Sequence, residues 1–458
     1  MCDGLSNPLV TIHAAAMSTP LPLPPIAAEI RELPNGLCAV ALPMPETATT
    51  LVAADVRVGA RYESPRDAGL SHFLEHMVFQ GCAVHPTAQE VNEAAERMGT
   101  ALDAYTSRDS THFEHQVSPE YTRDAVRLLA AVLGTPAFHD IESERSIIME
   151  EALDEVDERG RLVDADTLSR QILWPDSPLG QSVVGNPRNL ERFDAGDLRR
   201  HHGHHYVSGN LVVTVAGPHP AGELLDWMSE AFAAFPAGER PALPPAPQPV
   251  AKPSFLHVDD ARSQVDCRLV YRTPGGLDPT SPALAMARMA LDDGLASRLH
   301  RRMGNDLGLA YDQWANWERY PDVGAFEIGA QVSAPKVPTF FTEAFALFRG
   351  LVEDPPRGDE LARLRFRARF HLRSMVERAE GRVLLVAGHR VYPVDPPDVE
   401  ERLRRLDAVT PEAIAEAVRG LLAGPPVGVA VGKLGRTALQ RVKEIVKDPG
   451  RPTPSRPS

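Results

Sequence analysis

The chain changes its hydrophobic period several times, and each change marks an element. Residues 29–43, EIRELPNGLCAVALP, alternate around an Asn35-Gly36 pair and predict a hairpin. TTLVAADVRVGARYE (49–63) continues as an alternating strand. Helical spacing follows in GLSHFLEHMVFQG (69–81) and TAQEVNEAAERMG (87–99), then a strand pair in ALDAYTSRDSTHFEHQV (101–117). PEYTRDAVRLLAAVLG (119–134) and a long charged stretch over 141–159 predict two more helices. A helix near DAGDLRRHHGHHY (194–206) leads into a closing strand, GNLVVTVAG (209–217).

The same order returns after a proline-rich segment, PAGERPALPPAPQPVAKP (236–253), whose prolines favour a stiff, extended form. Strands SFLHVDD and SQVDCRLVYRTP precede a helix over 281–303 and a strand region over 310–333. Helices over 337–354, 358–381 and 410–424 precede a closing strand, PVGVAVGKL. Shared order without shared residue identity points to an internal duplication. The expected fold is α+β: two homologous lobes, each an antiparallel-type sheet flanked by helices, arranged as a clamshell with a cleft between them. The expected boundaries are an N-terminal extension over 1–27, lobes over 28–235 and 254–440, the linker between them, and a tail over 441–458.

Composition narrows the class. With 458 residues, 43% hydrophobic and 24% charged, the chain is a soluble, multi-domain type. No apolar run is long enough to span a bilayer, and the first 30 residues contain no Lys or Arg for a secretory signal. A cytoplasmic location is expected, and Met17 is as good a start as Met1, so residues 1–16 stay open. The net charge of −14, with scattered basic residues, argues against nucleic acid as a partner. Four separated cysteines without a CxxC pair make neither a disulfide framework nor a thiolate metal site.

The chemistry sits in LSHFLEHMVF, residues 70–79. On a helix His72 and His76 lie one turn apart on one face, where both imidazoles reach one Zn²⁺ at about 2.0–2.1 Å. Glu75, beside His76, is placed to act as general base and then acid. A third ligand is expected from the acids of IESERSIIMEEALDEVDER. If Glu144 faces the site, Glu151 returns to that face two turns on, while Glu150 points about 120° away. Glu151 is therefore the expected ligand, with one zinc per chain, and Glu144 a carboxylate that orients a histidine.

At these residues the chain resembles the inverzincins, the pitrilysin-type zinc metallopeptidases that include insulin-degrading enzyme and the mitochondrial processing peptidase. Their H-x-x-E-H motif is followed by a glutamate about 75 residues on, matched by Glu151, and by an acid seven before it, matched by Glu144. AYTSRD, ERSIIMEE, HHYVSGNLVVTVAG and LGLAYD resemble further family segments in the family's order. The resemblance implies a closed peptidolytic chamber, of which one chain makes half, in a homodimer or a heterodimer with a related chain. It also implies that peptide adds as a strand beside the metal, here along LDAYTSRD, where Asp103 replaces a common asparagine. The family's arginine–tyrosine pair is matched only at Tyr311, because the position seven before it is Gly304. Arg301 or Arg302 lies near that position, and a partner chain that supplies the missing arginine is one expectation.

Two other histidine groups are set aside. His201, His202, His204 and His205 end a helix, where its dipole favours cations, and their role stays open. His112 and His115 point to opposite faces of a strand and cannot share one ion, so they are expected at the surface or on a sheet face. The resulting expectation is a zinc endopeptidase acting on oligopeptides or unfolded leader segments, without nucleic acid or membrane. The alternatives are a non-catalytic peptide-binding or structural subunit and, more remotely, a hydrolase of non-peptide substrates.

Overall fold

The structure is a computed structural model that describes Leu23 and residues 25–448. The remainder of the expected N-terminal extension and the tail beyond residue 448 lie outside the described residues. Strands β1 (Glu29–Glu32), β2 (Cys38–Pro43), β3 (Thr50–Val56), β4 (Asp103–Thr106), β5 (Thr111–Val117) and β6 (Leu211–Gly217) form one sheet. Its order is β1-β2-β6-β3-β5-β4. Helices α1 (Leu70–Met77), α2 (Ala88–Glu96), α3 (Thr122–Gly134), α4 (Ile141–Asp154), α5 (Ala165–Leu173), α6 (Pro187–Leu190), α7 (Ala195–His205) and α8 (Ala221–Ala231) belong to this half of the chain.

A second sheet contains β7 (Ser254–Val258), β8 (Val265–Pro274), β9 (Gln313–Arg319), β10 (Val323–Val332) and β11 (Val427–Val431), in the order β7-β11-β8-β10-β9. Its helices are α9 (Ser281–Leu291), α10 (Val337–Glu353), α11 (Gly358–Val376), α12 (Ala379–Val391), α13 (Val399–Asp407), α14 (Pro411–Leu422) and α15 (Arg436–Lys447). The duplication is visible in the pairing. β2-β6-β3-β5-β4 and β7-β11-β8-β10-β9 share one parallel pair followed by three antiparallel pairs, and β1 is the only addition among the described strands.

Each sheet has one face covered by its own helices. Val52, Ala54, Val56 and Phe113 pack on Phe73, Leu74, Met77 and Leu129 in the first lobe. Leu269, Tyr271, Phe326 and Ile328 pack on Met286, Phe341 and Phe345 in the second. The other faces are covered by exchange. Leu168, Leu173 and Trp174, in and just after α5, cover Val270, Val323 and Val429 of the second sheet. Val383, Val386, Ala387 and Val391 of α12 cover Val40, Leu42, Leu51 and Val212 of the first. The halves are therefore locked together by more than the linker.

Several expected elements end elsewhere. The charged helix stops at Asp154, and Asp157 turns the chain by accepting from the Arg159 and Arg161 amides. The helix expected over 281–303 breaks after Leu291, where Gly294 takes φ +89°. A wide π-type turn then runs over His300–Asp306. α5, α8, α12 and α13 fill stretches left without elements. The tail expected from residue 441 is helical through Lys447, because Val442 and Val446 bury one face of α15.

Candidate metal centre

α1 carries the two histidines and its start is tightly fixed. The buried Glu63 carboxylate accepts from the Gly69 amide at 2.8 Å and the Ser71 amide at 2.6 Å, satisfying donors that a helix start leaves free. Burial pushes the Glu63 carboxyl up to about 7, against the hydrogen bonds from Ser71 and Gly69. Gly69, at φ +96°, lies so close to Gly185 that a Cβ would come within 2.7 Å of the Gly185 Cα. Only glycine fits there.

α1 packs against α4, α7 and the edge strand β4. The His72 and His76 rings lie 4.8 Å apart, as expected one turn apart on one face. α4 brings Glu144 and Glu151 to the same place, while Glu150 is exposed. His72 Nε2 is 3.5 Å from Glu151 Oε2, and His76 Nε2 is 3.9 Å from Glu151 Oε1. His76 Nδ1 shares a hydrogen bond with Glu144 Oε2 at 3.1 Å, and Gln80 Nε2 donates to Glu144 Oε1 at 2.8 Å. Glu75, 8% exposed, accepts from Thr106 Oγ1 of β4 at 2.5 Å.

The electrostatics suit a cation. Burial, and then the neighbouring His76, lowers the His72 pKa to about 4, so its ring is neutral beside Glu151. At 3.5 Å that contact is long for a hydrogen bond, and a neutral ring makes no ion pair. His72 Nδ1 is buried without a hydrogen-bond partner, and Nε2 is the ring nitrogen that faces the carboxylate. Tetrahedral zinc at ordinary ligand distances holds its ligands about 3.4 Å apart, close to these separations. Among the described residues, His72, Glu75 and His76 also form a group whose ligand atoms lie within 4.8 Å of one another. Glu151 faces both rings through different oxygens, Oε2 toward His72 and Oε1 toward His76, while one Glu75 oxygen accepts from Thr106. Burial pushes the Glu75 carboxyl up, offset in part by the Thr106 hydroxyl.

Tyr311 is not gathered into this site by its own packing; it is 99% exposed. Gly304 lies in the π-type turn, Arg302 donates to Glu343 at 2.8 and 2.9 Å, and Arg301 is exposed. Gln80, Thr106 and Glu63 were missed from the sequence. The period of β4 puts Thr106 on the face of Ala104, but only the sheet order brings that face to α1.

The other histidines need correction. His201, His202 and His205 are buried, and burial lowers all three pKa values, that of His205 to about 3. They are neutral packing groups rather than cations answering a helix dipole: His201 meets Ser71 Oγ at 3.0 Å and His202 meets the Leu133 carbonyl at 2.7 Å. His112 and His115 do occupy opposite faces but are also buried, His112 between Asp55 and Glu114.

The chain is similar to known proteins over most of its length. Residues 39–186 match the family described as Insulinase (Peptidase family M16), and residues 192–367 match Peptidase M16 inactive domain. An uncharacterized zinc protease of Rickettsia bellii is 25% identical, over 76% of this chain and 84% of its own. One from Mycobacterium leprae is 30% identical, over 65% of this chain and 67% of its own. The β subunit of the Saccharomyces cerevisiae mitochondrial-processing peptidase is 31% identical, over 48% of each chain. A Helicobacter pylori protease structure superposes with a TM-score of 0.81 at 18% identity, covering 89% of this chain and all (100%) of that one. No helix among the described residues is long and apolar enough to cross a membrane. With residues 39–186 matching the peptidase domain and residues 192–367 the inactive domain, the chain belongs to peptidase family M16.

Proposed function

We propose that this chain is a zinc-dependent endopeptidase in which His72, His76 and Glu151 hold the metal and Glu75 moves the proton. The convergence of both Nε2 atoms on one carboxylate, with Glu75 alongside, carries this reading. Bound zinc supplies Lewis acidity to the scissile carbonyl and to water. Glu144, held by Gln80, fixes the His76 ring through Nδ1 and leaves Nε2 for the metal. The Glu75 carboxylate accepts a proton from the attacking water and returns it to the leaving amine. Its burial favours holding that proton between the two steps.

The substrate in this reading is an extended oligopeptide or unfolded segment. β4 ends its sheet and pairs only with β5 among the described strands, so its outer edge is free for a peptide strand. We also take the chain as half of a two-chain chamber, with exposed Tyr311 offered to a partner copy or a related chain. The named β subunit in yeast supports a two-chain arrangement.

The test is metal analysis with product mapping on a mixed peptide library, with and without chelator. The expected result is one zinc per chain, chelator-sensitive cleavage, and a Glu75→Gln variant that keeps zinc but loses turnover. Protein that neither contains nor recruits zinc would end the reading. Zinc-loaded protein that cleaves nothing, alone or with a related chain, would leave the binding-subunit alternative.

A further inference from the structure

β4 is four residues long and paired on one side only, the kind of strand that frays first. Yet Thr106, at its end, hydrogen-bonds Glu75, so the strand has to be well placed. Its turn is closed by Ser107, whose amide and hydroxyl bond Ser110, and is tied outward to α5 and to the second lobe. The Arg108 guanidinium donates to Asp166 Oδ2 at 2.8 Å and to Glu318 Oε1 at 3.3 Å. Asp166 lies on α5, which covers the second sheet, and Glu318 lies on β9 of that sheet. The Tyr392 hydroxyl, just past α12, donates to the Asp109 carbonyl at 2.8 Å, and the Arg61 amide donates to the Arg108 carbonyl at 2.6 Å. The Arg108 side chain is 12% exposed, so solvent screens these contacts little.

We infer that Arg108 is a positioning residue of the hydrolytic site: its guanidinium fastens the β4–β5 turn to the second lobe and so fixes Thr106, the Glu75 carboxylate and the free edge of β4. The inference rests on the role proposed above for Glu75. The partners of Arg108 do not depend on it. Asp166 also pairs with Arg268 at 2.9 Å and Arg170 at 3.4 Å, and Glu318 with Arg170 at 2.7 Å. Removing Arg108 leaves neither acid unpaired, and the β4–β5 turn is the part that loses side-chain ties, keeping only backbone and Tyr392 contacts to its surroundings. The second lobe, which carries no H-x-x-E-H motif, thereby contributes to the site by setting the strand against which Glu75 rests.

Arg108→Met and Arg108→Lys in the full chain test this with two readouts. In Arg108→Met, the β4 amides bonded to β5 should exchange hydrogen about tenfold faster or more, with exchange across the β3–β6 pair unchanged. Zinc content should be unaltered while kcat falls about tenfold or more, since small misplacements of catalytic groups cost that much. Arg108→Lys should recover part of both effects. Combining Arg108→Met with Thr106→Val should add little to either alone, because both act through one contact. Unchanged exchange in β4 overturns the inference, as does faster exchange with kcat and KM unchanged. If Arg108→Met fails to fold, Tyr392→Phe removes one hydrogen bond from the same turn and is read the same way. If wild-type protein cleaves no peptide, the peptidase reading fails on its own, and the exchange measurement still decides whether Arg108 holds the strand.

Discussion

The two lobes have one topology and different chemistry. In the first, α1 sets His72, Glu75 and His76 beside edge strand β4. In the second, α9 and edge strand β9 lie in the same order, but SPALAMARMAL offers no histidine or carboxylate. A helix beside a sheet edge is what the fold supplies, and the H-x-x-E-H pattern is a local addition to it. The second lobe serves the first instead: α12 closes the back of its sheet, and Glu318 receives the turn that carries β4.

The sharpest way to break that comparison is to separate the lobes. Residues 1–253 alone lack α12, which exposes Val40, Leu42, Leu51 and Val212. A patch of that kind favours aggregation. The expected outcome is insoluble or non-cooperative material, rescued by co-expressing residues 254–458. A soluble fragment with a cooperative melt would make the exchanged helix dispensable.

Next in size is Glu75→Gln, which keeps the shape of the side chain and removes its basicity. Turnover should fall by about 10²–10⁴-fold or more, with zinc retained. A matching change in the second lobe, Arg288→Gln on α9, should leave kcat per zinc within about twofold. Equal losses from the two would mean that the lobes share the chemistry, contrary to their residues.

How much of this could be read from the chain differs between site and scaffold. The spacing of His72 and His76 and the seven-residue step from Glu144 to Glu151 are local helical geometry, and the structure brings these four side chains together. Helix exchange leaves no such mark. α5 and α12 are amphipathic on any reading, and nothing in either says whose sheet it covers. The break after Leu291 was hidden because an apolar helical pattern resumes beyond Gly294, and the Asp292 carboxylate accepts from the Ala315 amide of β9 instead of continuing the helix. Thr106 and Gln80 depend on contacts 31 and 64 residues away, which one sequence does not pair.

A smaller effect separates holding the metal from using it. Glu144→Gln keeps a group able to accept from His76 but removes the charge that fixes the ring. Zinc affinity should weaken by about 10–100-fold. With zinc in excess, kcat should recover most of its value. Unchanged affinity in a competition titration would reduce Glu144 to a packing group.

The smallest expected effect concerns pH and also divides the lobes. His201, His202 and His205 on α7 are held neutral by burial, with pKa values below the ordinary 6.5. Below that value the unfolded chain takes up protons that the folded one does not, so their contribution to stability is lost as pH falls. For His205, at about 3 when folded, the cost is about 2 kcal/mol near pH 5. Glu63, raised to about 7, acts oppositely: its folded form binds a proton more readily, so stability falls as pH rises from about 4.5 to 7. His201 and His202 act in the same direction as His205 and against that one acid. α14, in the corresponding place in the second lobe, has no histidine. Acidification from about pH 7.5 to 5 should therefore loosen hydrogen-exchange protection around α7 and α1 before that around α14, and His205→Phe should flatten the trend. Equal loss in both lobes would detach acid sensitivity from these rings and leave the metal motif as the main chemical difference between the two halves.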